Sequence, residues 1–135
     1  MIIGIGTDIC DIRRIEKILE RHGERFLKKT FTEKEQSYCE AQARPAMSYA
    51  KRFAAKEAVA KALSGHDTGS LSWTSVEVQN DPSGRPVVFL RADAQDRADS
   101  LCPNSNSLNI HLSLSDDYPY ATAFAIAEVT PLARE

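Results

Sequence analysis

The chain has 135 residues, is 42% hydrophobic and 27% charged, and carries a net charge of −2. These values suit one globular domain and exclude a disordered polymer or a generally basic nucleic-acid binder. No apolar run is long enough to span a bilayer.

Residues 1–7 (MIIGIGT) form an apolar run with Ile2, Ile3 and Ile5, and predict a buried strand. Gly4 and Gly6 permit close approach of another backbone or a ligand. Asp8 is expected to end the strand. It reads either as the N-cap of the next helix, with Asp11 in the first turn, or as an acid with chemistry of its own. A dinucleotide fingerprint is excluded, because Ile9 stands where its third glycine belongs. A helix is expected over residues 9–22, with Ile12, Ile15 and Leu19 inward and Gly23 as C-cap. Arg14, Lys17 and Arg21 share another face. Residues 11–30 hold seven Lys or Arg against four Asp or Glu, a local charge of +3. That face is either simply solvated or a docking surface for an acidic partner.

Thr32 and Glu35 fit a capping box opening a helix with Tyr38 and Ala41, and the cap accounts for Glu35. The next helix starts at Pro45 and includes RFAAKEAVAKAL at residues 52–63. At about 100° per residue, Tyr49, Ala50, Phe53, Ala54 and Ala60 share one face. Glu57 lies in the middle of that face, with Lys61 one turn on, while Lys51, Ala55 and Ala62 lie opposite. A carboxylate in an apolar stripe is costly unless it is paired, hydrogen-bonded or metal-bound. Glu57 either pairs with Lys61 at i, i+4 or meets a second acid, for which Asp8 is the candidate.

Residues 64–70 (SGHDTGS) predict a loop, and its spacing matches no phosphate-loop motif. Residues 71–79 and 86–90 predict a hairpin around the turn at residues 81–84. Residues 91–101 suggest a short, polar, exposed helix, followed by a loop at residues 102–107. Residues 108–115 alternate strictly, with Leu108, Ile110, Leu112 and Leu114 facing one way. His111 and its neighbouring serines face the other way, and without a GxSxG elbow they suit the polar side of a strand. A turn at residues 116–119 leads to a last strand over residues 120–129. The expected fold is α+β, a single domain over residues 1–135 with N-terminal helices packed on a mostly antiparallel sheet. Cys10, Cys39 and Cys102 have no disulfide or zinc spacing, so a reducing compartment is expected. The N-terminus lacks a signal-peptide pattern, and the expected location is cytoplasmic.

Three segments in register carry a resemblance. They are Gly4-Ile5-Gly6-Thr7-Asp8 with Arg14 following, Arg52-Phe53-Ala54-Ala55-Lys56-Glu57 with Lys61-Ala62, and His111-Leu112-Ser113-Leu114-Ser115 with Tyr120-Ala121. Together they resemble the small bacterial holo-acyl-carrier-protein synthases, phosphopantetheinyl transferases of the short, single-domain type. The resemblance implies transfer of the phosphopantetheine arm of coenzyme A to a serine of apo acyl carrier protein, in fatty acid biosynthesis. It implies magnesium (Mg2+) held by Asp8 and Glu57, with Glu57 also catalytic. Whether Glu57 or a water takes the serine proton stays open at this level. It further implies coenzyme phosphate contacts at Arg52, Lys56 and Lys61, carrier contacts at Arg14 and Arg21, and a homotrimer with sites at subunit interfaces. One position departs from the pattern: many members have His where this chain has Asp116. Two other readings use the same residues. One is a magnesium-dependent hydrolase of the coenzyme pyrophosphate. The other is a non-enzymatic carrier-binding module on the Arg14 face.

Overall fold

The computed structural model describes residues 1–65, 69–102 and 106–131. The expected loops at residues 64–70 and 102–107 fall partly outside them. In chain order the elements are β1 (Ile2–Asp11), α1 (Ile12–Thr30), α2 (Glu33–Glu40), α3 (Pro45–Ala62), a single 3-10 turn (Trp73–Ser75), β2 (Val76–Asn80), β3 (Pro86–Leu90), α4 (Ala92–Leu101), β4 (Asn106–Asp117) and β5 (Tyr120–Pro131). The strands form two antiparallel sheets, β1-β5-β4 and the hairpin β2-β3. The α+β expectation holds.

Small residues make the centre of this fold. On β1 the inward positions are Gly4, Gly6, Asp8 and Cys10, and their β5 partners are Ala127, Ala125, Ala123 and Ala121. That floor is nearly flat, so α3 can lie directly on it. Its own Ala54, Ala55, Ala58 and Ala62 are buried, and it also touches α1, α2 and β2. The sequence pattern predicts one apolar face for α3, yet Ala55 and Ala62, expected on the far side, are buried too. A helix with a sheet on one flank and helices on the others buries most of its circumference.

Three local expectations are corrected. Asp8 lies inside β1 instead of ending it. The cap of α1 is Asp11, which accepts from the Arg13 amide at 3.0 Å. Gly23 is no C-cap: α1 continues to Thr30 through a kink at His22, whose φ of −144° and ψ of 44° are non-helical. Residues 71–75 are not strand, since the 3-10 turn occupies their end. On α2 the buried positions are Glu35 and Cys39, one turn apart. The leucines of β4 point inward as expected, and His111 on the outer side pairs with Glu128 at 3.0 Å.

Candidate active site

Two glycines bring β1 and α3 together, and with them the elements that carry Asp8 and Glu57. A Cβ on Gly4 would lie 1.9 Å from the Ala62 carbonyl oxygen, and one on Gly6 would lie 1.9 Å from that of Ala58. Two strand residues therefore match about one helical turn. Asp8, the next inward residue, reaches the flank of α3 that carries Glu57 and Lys61.

Lys61 does not settle Glu57 as the sequence alternative allowed. Its ammonium donates to the Thr7 carbonyl at 2.9 Å and to Asp8 Oδ1 at 3.4 Å. Half-buried Glu57 makes no hydrogen bond or ion pair among the described residues. Its carboxyl is pushed above the ordinary glutamate range, first by burial and then by the charge of Asp8, with Lys61 pulling the other way. Two carboxylates whose charges act on each other, with Lys61 bonded to one of them, suit a hard divalent cation, which commonly takes one or two protein carboxylates and fills its shell with water and phosphate oxygens. Among the described residues no cluster of three or more His, Cys, Asp or Glu forms a softer metal site. Cys10, on the same strand face, is no nucleophile: burial pushes its thiol up to about 11.

Beside Glu57 lies a groove of about 300 Å³, walled by Ala60 on α3 and by Ser70, Leu71, Ser72, Trp73 and Val76 opposite. The three basic residues expected around a coenzyme do not gather there. Only Lys61 stands with the acids. Lys56 is 1% exposed, and its ammonium donates to Glu35 Oε1 at 2.7 Å and to the carbonyls of Trp73 and Val76. An ammonium has three protons, so none is left for a phosphate. This corrects the expectation for Lys56. It also enlarges the role of Glu35, which caps α2 through the Thr32 amide and accepts from the Val78 amide as well.

Arg52 lies about 140° around α3 from Glu57, at 100° per residue. It lines a different cavity, of about 490 Å³, with Arg44, Lys51, Asn80 and Ser113. There it donates to Asn80 Oδ1 at 2.6 Å and lies 3.9 Å over the Tyr38 ring, while its buried Nε has no hydrogen-bond partner among the described residues. Lys51, at the same cavity, pairs with Asp116 at 3.1 Å. The acid at the departing position therefore has a cation beside it. Sequence reading passed over Lys51 and Arg44. The signal for separating the basic residues was present, since Arg52 and Lys56 form one i, i+4 stripe and Glu57 and Lys61 another. Arg14 and Arg21 are exposed on α1. Arg21 flanks an apolar groove of about 390 Å³, floored by Ile18 and Phe26 and edged by Lys17, Arg25 and Lys29.

A family model described as the 4'-phosphopantetheinyl transferase superfamily matches residues 4–123. The chain belongs to that superfamily. A holo-[acyl-carrier-protein] synthase from Caulobacter sp. (strain K31) is 53% identical over 128 residues, covering 95% of this chain and 96% of the relative. Among solved structures, a holo-ACP synthase from Plasmodium yoelii superposes with a TM-score of 0.77 at 38% identity, over 96% of this chain and 95% of that one. A Helicobacter pylori holo-[acyl-carrier-protein] synthase, in complex with coenzyme A, gives 0.75 at 28% identity, over 92% and 99%. This phosphopantetheinyl transferase is thus of the short bacterial type that its three motifs suggest. The matched span includes every element that builds the Asp8, Glu57 and Lys61 flank.

Proposed function

We infer that this chain transfers the phosphopantetheine group of coenzyme A to a serine of apo acyl carrier protein, giving holo carrier and adenosine 3',5'-bisphosphate. The observation that carries the reading is the pair Asp8 and Glu57, held beside Lys61 on rigid elements of a phosphopantetheinyl transferase fold. The serine oxygen bonds to the phosphorus that bears pantetheine. The bond from that phosphorus to the bridging oxygen breaks, and the oxygen leaves with the adenosine bisphosphate. The serine proton must go to a base. Glu57 is that base, and burial, followed by the charge of Asp8, raises its affinity for protons above that of an ordinary glutamate. Lys61 holds Asp8 in place and offers a point charge toward the phosphates. Magnesium, held by Asp8 and Glu57, would neutralise pyrophosphate charge as the bond breaks.

Mixing the protein with coenzyme A, magnesium and apo carrier tests the reading. The expected result is a mass increase of the carrier by one phosphopantetheine, lost when the carrier serine is replaced by alanine. Hydrolysis of coenzyme A without carrier modification would overturn it. The reaction belongs to fatty acid biosynthesis in the cytoplasm, where free thiols such as Cys10, Cys39 and Cys102 persist.

The carrier docks on α1, whose surplus of positive charge suits an acidic partner. Rim charges chiefly tune association. Arg14→Glu and Arg21→Glu are each expected to raise KM for the carrier several-fold while KM for coenzyme A stays put. Equal changes in both constants would return this face to plain solvation.

The working unit is a homotrimer. The outer side of the β1-β5-β4 sheet exposes Ile5 and Ile9 at 62% each, together with Phe124, an apolar row that a second copy would cover. Self-association also answers why Arg44, Lys51 and Arg52 stand apart from the acids, since a neighbour's basic cavity completes the coenzyme site. Ile5→Lys/Phe124→Lys should give a folded monomer by light scattering and circular dichroism, with transfer largely lost. An active monomer would end the trimer reading.

A further inference from the structure

We propose that Lys56 is a positioning residue that sets the wall of the groove beside Glu57, so that coenzyme A binds in register with the acids. The proposal rests on the reading that this groove serves coenzyme A. The Lys56 ammonium is fully engaged inside the protein. Its three acceptors come from three different elements: Glu35 on α2, Trp73 in the 3-10 turn and Val76 at the start of β2. Glu35 is in turn fixed by the Thr32 and Val78 amides. The result is a buried node tying α3 to the segment that faces it.

That segment is the wall itself. Leu71, Ser72, Trp73 and Val76 line the groove, and Glu57, the residue after Lys56, lines it from the other side. Two successive residues of one helix therefore do different work. Glu57 lines the open groove, and Lys56, which lines it too, clamps the backbone opposite. The wall has further ties. The Trp73 ring stacks on Phe53 with centroids 4.8 Å apart, and the Ser72 amide donates to Asp93. A positively charged clamp on two carbonyls fixes backbone, not merely side chain, which is what the width of a groove depends on. The groove mixes apolar Ala60, Leu71 and Trp73 with the hydroxyls of Ser70 and Ser72. That mixture suits the aliphatic amide arm of coenzyme A, whose placement decides where the phosphorus lies relative to Glu57.

The test uses Trp73, the single tryptophan of the chain, as a reporter in the wall. Lys56→Met removes the ammonium at similar length. Glu35→Gln/Lys56→Met also removes the acid left behind, while keeping an oxygen for the Thr32 cap. In either variant, judged folded by circular dichroism, acrylamide quenching of Trp73 should increase and its emission shift to the red. The dissociation constant for coenzyme A, titrated without carrier, should rise. A misplacement of the order of 1 Å can cost about a hundredfold in rate, so kcat/KM for coenzyme A should fall on that scale while KM for the carrier is unchanged. Lys56→Arg should not rescue, because a planar guanidinium cannot sit among three converging acceptors. A folded variant with unaltered Trp73 quenching, or with wild-type kcat/KM for coenzyme A, overturns the proposal. So does rescue by arginine, which would mean a phosphate contact. If both methionine variants fail to fold, the wild-type protein decides. Coenzyme A should then shield Trp73 from acrylamide, and unchanged quenching overturns the proposal. Failure of carrier modification by the wild-type protein would instead sink the transferase reading, and direct titration of coenzyme A keeps the two failures distinct.

Discussion

Glu57→Gln is expected to abolish turnover without weakening the fold. The substitution keeps size and one oxygen but removes both charge and basicity. Loss of a general base typically costs about two to four powers of ten in rate, and weaker magnesium affinity adds to that. Excess magnesium should restore the affinity part only. Asp8→Asn, which leaves the base in place, should recover further at high magnesium than Glu57→Gln does. Equal recovery would refute the division of roles between the two acids. Stability should move the other way from activity. The Glu57 carboxyl holds its proton more tightly folded than unfolded, because burial and then Asp8 disfavour its charge. Folding stability therefore falls as pH rises from the ordinary glutamate range through the raised folded value, and the loss is complete above it. In metal-free protein at neutral pH, Glu57→Gln should melt no lower than wild type. The difference should vanish in acid, where both side chains are neutral. A lower melting temperature at neutral pH would show that Glu57 carries a folding role instead.

Gly6→Ala should damage the fold and the site together. The added Cβ would sit 1.9 Å from the Ala58 carbonyl oxygen and 2.9 Å from the Ala62 amide nitrogen, both backbone atoms of α3. Neither can swing aside as a flexible side chain would. Overpacking in cores typically costs about 1–3 kcal/mol and occasionally more, and contact with backbone on both counts puts this case at the upper end. Thermal melting should drop sharply. Any protein that folds should have β1 and α3 pushed apart, with magnesium binding weakened because Asp8 no longer reaches the Glu57 flank. A variant with wild-type melting and metal affinity would mean that β1 and α3 do not touch in solution.

The elements with strong local signals were legible. The capping box at Thr32 and Glu35 is present in full, with Thr32 Oγ1 accepting from the Glu35 amide at 3.2 Å. The turn at residues 81–84 joins β2 and β3, and the alternation along residues 108–115 is a strand with its leucines inward. Glu57 stood out as a carboxylate in an apolar stripe, and among the described residues it has no ion-pair partner. The misses share one cause. Asp8 looks like a cap because caps are local, but strand pairing to Ala123 extends β1 past it. Gly23 looks like a stop because glycine commonly ends helices, but the helix bends at His22 and continues. Lys56 looks like a phosphate ligand because charge suggests solvent, and the neighbours of Arg52 are no easier to foresee. Their partners, Glu35, Trp73, Val76 and Asn80, come from segments whose arrival no periodicity announces.

The contact of β1 on α3 at Gly4 and Gly6 also governs how this molecule responds to heat. Both acids ride on backbone that is pressed against other backbone in the centre of the fold, not on a lid or a surface loop. Local openings that loosen many catalytic sites draw on weakly packed segments, and neither acid belongs to one. Heating should therefore disturb the arrangement of Asp8 and Glu57 only when β1 and α3 part, so that within one subunit metal binding and core packing are expected to be lost together.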